Sequence, residues 1–154
     1  PQDFHPRYVK SEKIYEYQIL NRRFPIPTER FYSHFTYVPL DVVKMREAGK
    51  YLLGEHDFKS FCGAGAQVKT TVRCIHELDI EKEGDKIIIR IRGNGFLYNM
   101  VRIIAGTLME VGSHAYPPEK IQEILEAKDR KAAGPTAPAR GLTLVKIEYP
   151  EELG

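Results

Sequence analysis

Residues 90–112, RIRGNGFLYNMVRIIAGTLMEVG, constrain this chain more than any other stretch: a strand pattern gives way through Gly93-Asn94-Gly95 to a helix that is almost wholly apolar. Leu97, Val101, Ile104, Leu108 and Val111 recur at helical spacing, and Phe96, Met100 and Ile103 widen the stripe. A stripe this broad predicts a helix buried on most sides. One cation interrupts it. The positions one helical turn from Arg102 hold Tyr98, Asn99, Ala105 and Gly106, none of them a carboxylate. An unpaired buried guanidinium is costly. Arg102 therefore either snorkels to water or is held for a carboxylate supplied by another element, domain or substrate.

A helix so apolar needs a sheet to cover it, and the rest of the chain supplies strand patterns. Residues 13–20 (KIYEYQIL) alternate, with Tyr15, Tyr17 and Ile19 on one face and Glu16 and Gln18 on the other. Residues 21–40 are aromatic, basic and broken by Pro25, Pro27 and Pro39, and read as irregular. Asp41 is placed to cap a helix running to about Leu53, with Val42, Met45, Leu52 and Leu53 inward and Gly54 as its stop. Residues 72–81 and 86–92 form a hairpin across Glu83-Gly84-Asp85. A short helix after Pro117-Pro118 uses Ile121, Ile124 and Leu125, and residues 142–149 (LTLVKIEY) alternate as a last strand. The order β-α-β-β-α-α-β, with the short helix set aside, predicts an α+β chain. Its arrangement is the ferredoxin-like split βαβ, a mainly antiparallel sheet with helices on one face.

At 154 residues the chain fits a single domain that folds without staples. It is 42% hydrophobic and 29% charged, and no apolar run approaches a membrane span. Cys62 and Cys74 match no disulfide or metal spacing and no secretory signal is visible, which predicts thiols in a reducing cytoplasm. The five histidines give no metal-binding HExxH. A net charge of +2 does not argue for nucleic acid, so any basic surface must be local. The opening on Pro1, without a methionine, predicts a fragment.

Several motifs invite chemistry. Gly93-Asn94-Gly95 resembles the start of a dinucleotide fingerprint but fails at Tyr98, where a third glycine belongs, and it follows an antiparallel hairpin. Arg92, Gly93, Gly95 and Phe96 match part of the RNA-recognition motif, yet Asn94 and Asn99 stand where its stacking rings should be. A stand-alone ferredoxin-like RNA-binding module without catalysis is thus a second reading. Arg22, Arg23, Phe24, Arg30, Phe31, Tyr32, His34, Phe35 and Tyr37 mix cations with rings, either to meet RNA or to pack under their own loop. Lys128, Arg130, Lys131 and Arg140 flank the 134–139 connection as a phosphate track or as a solvated face.

Together, FHPRY (4–8), KIYEY (13–17), GEHDFKSF (54–61), GFLYNMVRIIAGTLMEVG (95–112) and GPTAPARGLTL (134–144) closely resemble, in order, the motifs of the tRNA pseudouridine synthase A family in its C-terminal catalytic domain. The resemblance implies an isomerase that converts uridine to pseudouridine in the tRNA anticodon arm, at positions 38 to 40, without a cofactor or metal. It implies a homodimer that embraces tRNA. By the same resemblance Arg102 pairs with the catalytic aspartate, and Tyr15 packs on the target uracil and is a candidate for proton transfer. Leu142 lines the uracil pocket. Arg22, Arg23 and Arg30 are expected on the RNA-facing surface. The family's nucleophile lies in a Gly-Arg-Thr-Asp-x-Gly-Val-His motif that is absent here, and Asp57, in GEHDF, reads as loop-fixing. The chain is then expected to be the C-terminal half of a two-domain enzyme. The N-terminal domain bearing the nucleophilic aspartate would precede Pro1, and the half alone would be inactive.

Overall fold

The computed structural model describes residues 12–26, 33–65 and 67–148. Its sheet is built around β1 (Glu12–Asn21), which runs antiparallel to β5 (Lys86–Gly93) along one side. The other side of β1 is shared. Its first half pairs antiparallel with β6 (Leu142–Glu148), and Ile19, Leu20 and Asn21 pair in parallel with β2 (His34–Thr36). Beyond β5 lie β4 (Val72–Glu83) and β3 (Gly54–Asp57), both antiparallel to their neighbours. With α1 (Val42–Lys50) and α2 (Met100–Gly112), the core order β6-β1-β5-β4 contains two interleaved units, β1-α1-β4 and β5-α2-β6. This is the ferredoxin-like frame expected from the order of elements.

The register explains why one face is covered. Tyr15, Tyr17 and Ile19 stand opposite Ile91, Ile89 and Ile87, and Leu78 and Ile80 continue the same rows on β4. Tyr17, Ile19 and the three isoleucines are fully buried in one core with Ile103, Ile104 and Leu108 of α2. Each such side chain contributes about 1.5–3 kcal/mol by leaving water. The alternate positions Glu16, Arg90 and Asp79 form a charged row on the open face. Helix α3 (Lys120–Ala127) buries Ile121, Ile124 and Leu125 as its spacing predicts. Among the described residues no helix is long and apolar enough to cross a membrane.

The structure departs from the sequence reading in the shorter elements. Helix α1 begins as expected, with Asp41 Oδ1 accepting the Lys44 N–H at 3.2 Å, but ends at Lys50. The Leu52 and Leu53 amides bond back to Gly49 and Lys50 in a tightened final turn, leaving Leu53 exposed while Ala48 and Gly49 are buried. Gly54 does not merely stop the helix. At φ +93° it turns the chain directly into β3. The segment read as irregular holds strand β2, which Asn21 secures: its Nδ2 donates to the Thr36 and Val38 carbonyls and its Oδ1 accepts the Leu40 N–H. Arg30 lies outside the described residues, as does the FHPRY motif.

Candidate active site

The candidate site forms where β5 leaves the sheet and turns into α2. Gly93 is required there because a Cβ would sit 2.7 Å from the Cys74 carbonyl oxygen. Asn94 closes the strand end, its amide N–H donating to the Cys74 carbonyl and its side-chain Oδ1 accepting the Cys74 N–H. The chain then reverses through Asn99, which holds the left-handed conformation at φ 59° and ψ 10°. Helix α2 starts at Met100, with Arg102 on its first turn.

Arg102 is partly buried against a strap formed by residues 134–141. Its Nε donates to the Ala137 carbonyl at 2.8 Å, and the Ala137 N–H donates to the Arg102 carbonyl at 3.0 Å. Its Nη1 donates to Asn99 Oδ1 at 3.1 Å. The strap is secured along its length. Gly134 N–H donates to Thr107 Oγ1 at 2.9 Å, Arg130 reaches the Gly134 carbonyl and Thr136 Oγ1, and the Tyr17 hydroxyl donates to the Pro138 carbonyl at 2.7 Å. Gly106 lets the strap approach the helix, since a Cβ there would lie 1.8 Å from the Pro135 oxygen.

No carboxylate among the described residues pairs with Arg102. Asp41 caps α1, Asp57 accepts from Thr71 Oγ1 and the Lys59 N–H, and Asp129 accepts the Lys131 N–H. Asp85 lies 3.9 Å from Arg22, and Asp79 stands opposite Arg90 in the sheet. Asp3 lies outside the described residues. The guanidinium is thus held by two neutral acceptors, and its Nη2 carries no hydrogen bond among the described residues. Neutral acceptors fix its plane and leave its charge unspent. The contacts to Thr71 and Lys59 agree with the loop-fixing role read for Asp57.

The sheet face beneath the strap, where Tyr17 feels the charge of Arg102, carries apolar and aromatic side chains. Tyr15 is half-buried and meets Phe96 edge to face, with ring centroids 5.2 Å apart. Leu142 stands opposite Tyr17, and Leu144 opposite Tyr15, so all four share one face of the sheet at this end. Leu144 is 45% exposed there. Burial pushes the Tyr17 hydroxyl well above its ordinary range, although Arg102 and Arg140 pull the other way. The Tyr17 hydroxyl therefore stays protonated as a hydrogen-bond donor to the strap. Burial and then the charge of Arg140 hold the His34 pKa down. Sequence reasoning treats Arg140 only as part of a basic flank, and misses that the strap brings it close to Tyr17 and His34.

Arg22 and Arg23 follow the far end of β1, about 20 Å along the strand from Tyr15. The structure does not bring them to the Tyr15 end of the strand. Arg22 faces Asp85, and Arg23 lies over the Phe24 ring at 5.5 Å. Phe24 and Tyr37 are exposed and so do not pack beneath their loop. On the open sheet face, where an RNA-recognition motif would present rings, Arg90 bonds Glu16 and Arg92 lies near Glu12 and Glu77. No group of acidic, histidine or cysteine side chains among the described residues could hold a metal ion, and both cysteines are free thiols.

Comparison with known proteins bears on this geometry. A family model described as tRNA pseudouridine synthase matches residues 48–150. The chain is 50% identical over 148 residues to tRNA pseudouridine synthase A 2 of Clostridium perfringens, covering 96% of this chain and 61% of that protein. It is 50% identical over 147 residues to tRNA pseudouridine synthase A of Bacillus velezensis, and 48% identical over 147 residues to that of Bacillus subtilis. Each of those two alignments covers 95% of this chain and 59% of the relative. The chain thus spans about three fifths of the length of these curated relatives.

Proposed function

This chain belongs to the tRNA pseudouridine synthase family, and on that premise we propose that it supplies one half of an active site converting uridine to pseudouridine in the tRNA anticodon arm. The carrying observation is the state of Arg102: oriented by Ala137 and Asn99, given no acid among the described residues, and held on a strap that Tyr17 ties to the sheet. The chemistry calls for such a group. An aspartate attacks the nucleotide, the glycosidic bond opens, and the uracil turns and rejoins through carbon. The nucleophile then needs a fixed cationic neighbour, and the detached base needs a confined slot. Arg102 receives the aspartate, Tyr15 packs on the flipped uracil, and Leu142 lines its pocket. The aspartate comes from a part of the protein outside this sequence. The chain acts as the C-terminal half of a two-domain enzyme that works in the cytoplasm as a homodimer on tRNA, with no cofactor or metal.

The test uses the full-length protein and tRNA tritiated on uracil. Arg102→Ala should reduce tritium release at least about a hundredfold while leaving tRNA affinity within a few fold. A loss of affinity as large as the loss of rate would make Arg102 a phosphate contact and overturn the assignment. The isolated chain should release tritium only at background. The competing reading, a stand-alone RNA-binding module, is disfavoured by the open sheet face. Glu12, Glu16, Glu77, Asp79 and Glu81 would repel phosphate there, and no ring stands on the Glu16, Arg90 and Asp79 row to stack a base.

A further inference from the structure

We propose that Asn99 is a positioning residue that aims Arg102 at its carboxylate partner, an inference that rests on the reading of Arg102 given above. Asparagine at a helix N-cap ordinarily accepts a hydrogen bond from a backbone N–H of the first turn. Asn99 makes no such capping bond. Its Oδ1 is committed instead to Nη1 of Arg102 at 3.1 Å, one turn along the helix. The backbone at Asn99 is left-handed, a conformation that glycine adopts freely and that asparagine tolerates better than most residues with a side chain. This backbone sets the side chain beside the guanidinium instead of over the helix end.

The two acceptors act on different edges of one plane. Ala137 O takes Nε, and Asn99 Oδ1 takes Nη1. A planar guanidinium held on two edges loses rotation about its terminal bonds, so Nη2 has a defined direction. The neutral carboxamide is essential to this device. An aspartate at the same position would fix the same atoms but neutralise the charge that the nucleophile requires. Asn99 is thus an acceptor that orients Arg102 without spending its charge, in a backbone that keeps the amide off the helix terminus.

The experiment uses full-length enzyme, with single-turnover rate, tRNA affinity and unfolding temperature measured together. Asn99→Gly keeps the left-handed backbone and deletes only the acceptor. Its rate should fall about tenfold to a hundredfold, with affinity within about twofold and an unchanged unfolding temperature. On an Arg102→Lys background, where no fork remains to be aimed, Asn99→Gly should cause no further loss. Asn99→Asp keeps shape and acceptor but adds charge, and at neutral pH its rate should fall at least as far as that of Asn99→Gly. A wild-type rate in either single variant overturns the proposal, as does an undiminished effect of Asn99→Gly on the Arg102→Lys background. Failure of the underlying reading looks different: Arg102→Ala itself would then turn over normally, and the proposal for Asn99 would fall with it.

Discussion

Gly106→Ala tests the strap that holds Arg102, because the steric problem is between backbone atoms. The new Cβ would lie 1.8 Å from the Pro135 oxygen and 2.9 Å from its carbonyl carbon, and no side-chain rotation relieves that. The strap must lift. Lifting breaks the paired bonds between Arg102 and Ala137 and the Tyr17 bond to Pro138. At about 1 kcal/mol net for each bond the loss is about 3 kcal/mol. Alanine returns about 1 kcal/mol through its better helix propensity, leaving about 2 kcal/mol of destabilisation. For a chain of this size that lowers the melting temperature by about 4–8 °C. Gly112→Ala is the matched control on the same helix. There the close atoms are Met45 Sδ at 2.9 Å and Met45 Cγ at 3.0 Å, and a methionine side chain can move aside, so the change should stay within about 1 kcal/mol. Urea unfolding followed by circular dichroism measures both. If Gly106→Ala is no less stable than Gly112→Ala, the strap does not approach the helix as described and the orientation of Arg102 needs another source.

The elements legible in sequence are those whose burial follows a period. The alternation of Tyr15, Tyr17 and Ile19 and the apolar stripe of α2 identify the central strand and the core helix without further information. Strands β2 and β3 carry too few residues for a period, and their pairing is dictated by partners distant in sequence, Ile19 to Asn21 and Val72 to Ile75. At the site, the missing acid near Arg102 is legible because helical neighbours are fixed by spacing. Asn99 is one of those neighbours but carries no charge to mark it, and its role depends on a left-handed backbone that sequence spacing does not encode. Ala137 contacts Arg102 across 35 positions through a main-chain carbonyl, so no side-chain motif could mark it. The charged open face is half visible as the polar alternation of β1, but the row of Glu16, Arg90 and Asp79 requires the register.

Two further outcomes follow from the same geometry. Because the Tyr17 hydroxyl is held protonated above its ordinary value of 10.0, its stabilising contribution is complete below about pH 10 and is lost as the pH rises beyond it. Tyr17→Phe should therefore cost about 1 kcal/mol at neutral pH and weaken the alkaline fall in stability, and an unchanged alkaline slope in urea unfolding between pH 9 and about 11.5 would refute the assignment. The last concerns the RNA track. Arg22 and Arg23 follow the end of β1, about 20 Å along the strand from Tyr15, so on the proposed reading they would meet the RNA backbone and not the target base. Arg22 already faces Asp85 at 3.9 Å, so part of its charge is spent, whereas Arg23 rests on the exposed Phe24 ring. Replacing Arg22, Arg23 and Arg30 together with alanine should weaken tRNA binding irrespective of sequence, and lower the slope of log affinity against log salt by about one for each phosphate no longer neutralised. Filter binding from low to moderate salt measures both quantities. Unchanged affinity with an unchanged slope would remove this segment from the RNA surface, and the search for the phosphate track would pass to Lys128, Lys131 and Arg140, which flank the strap in sequence.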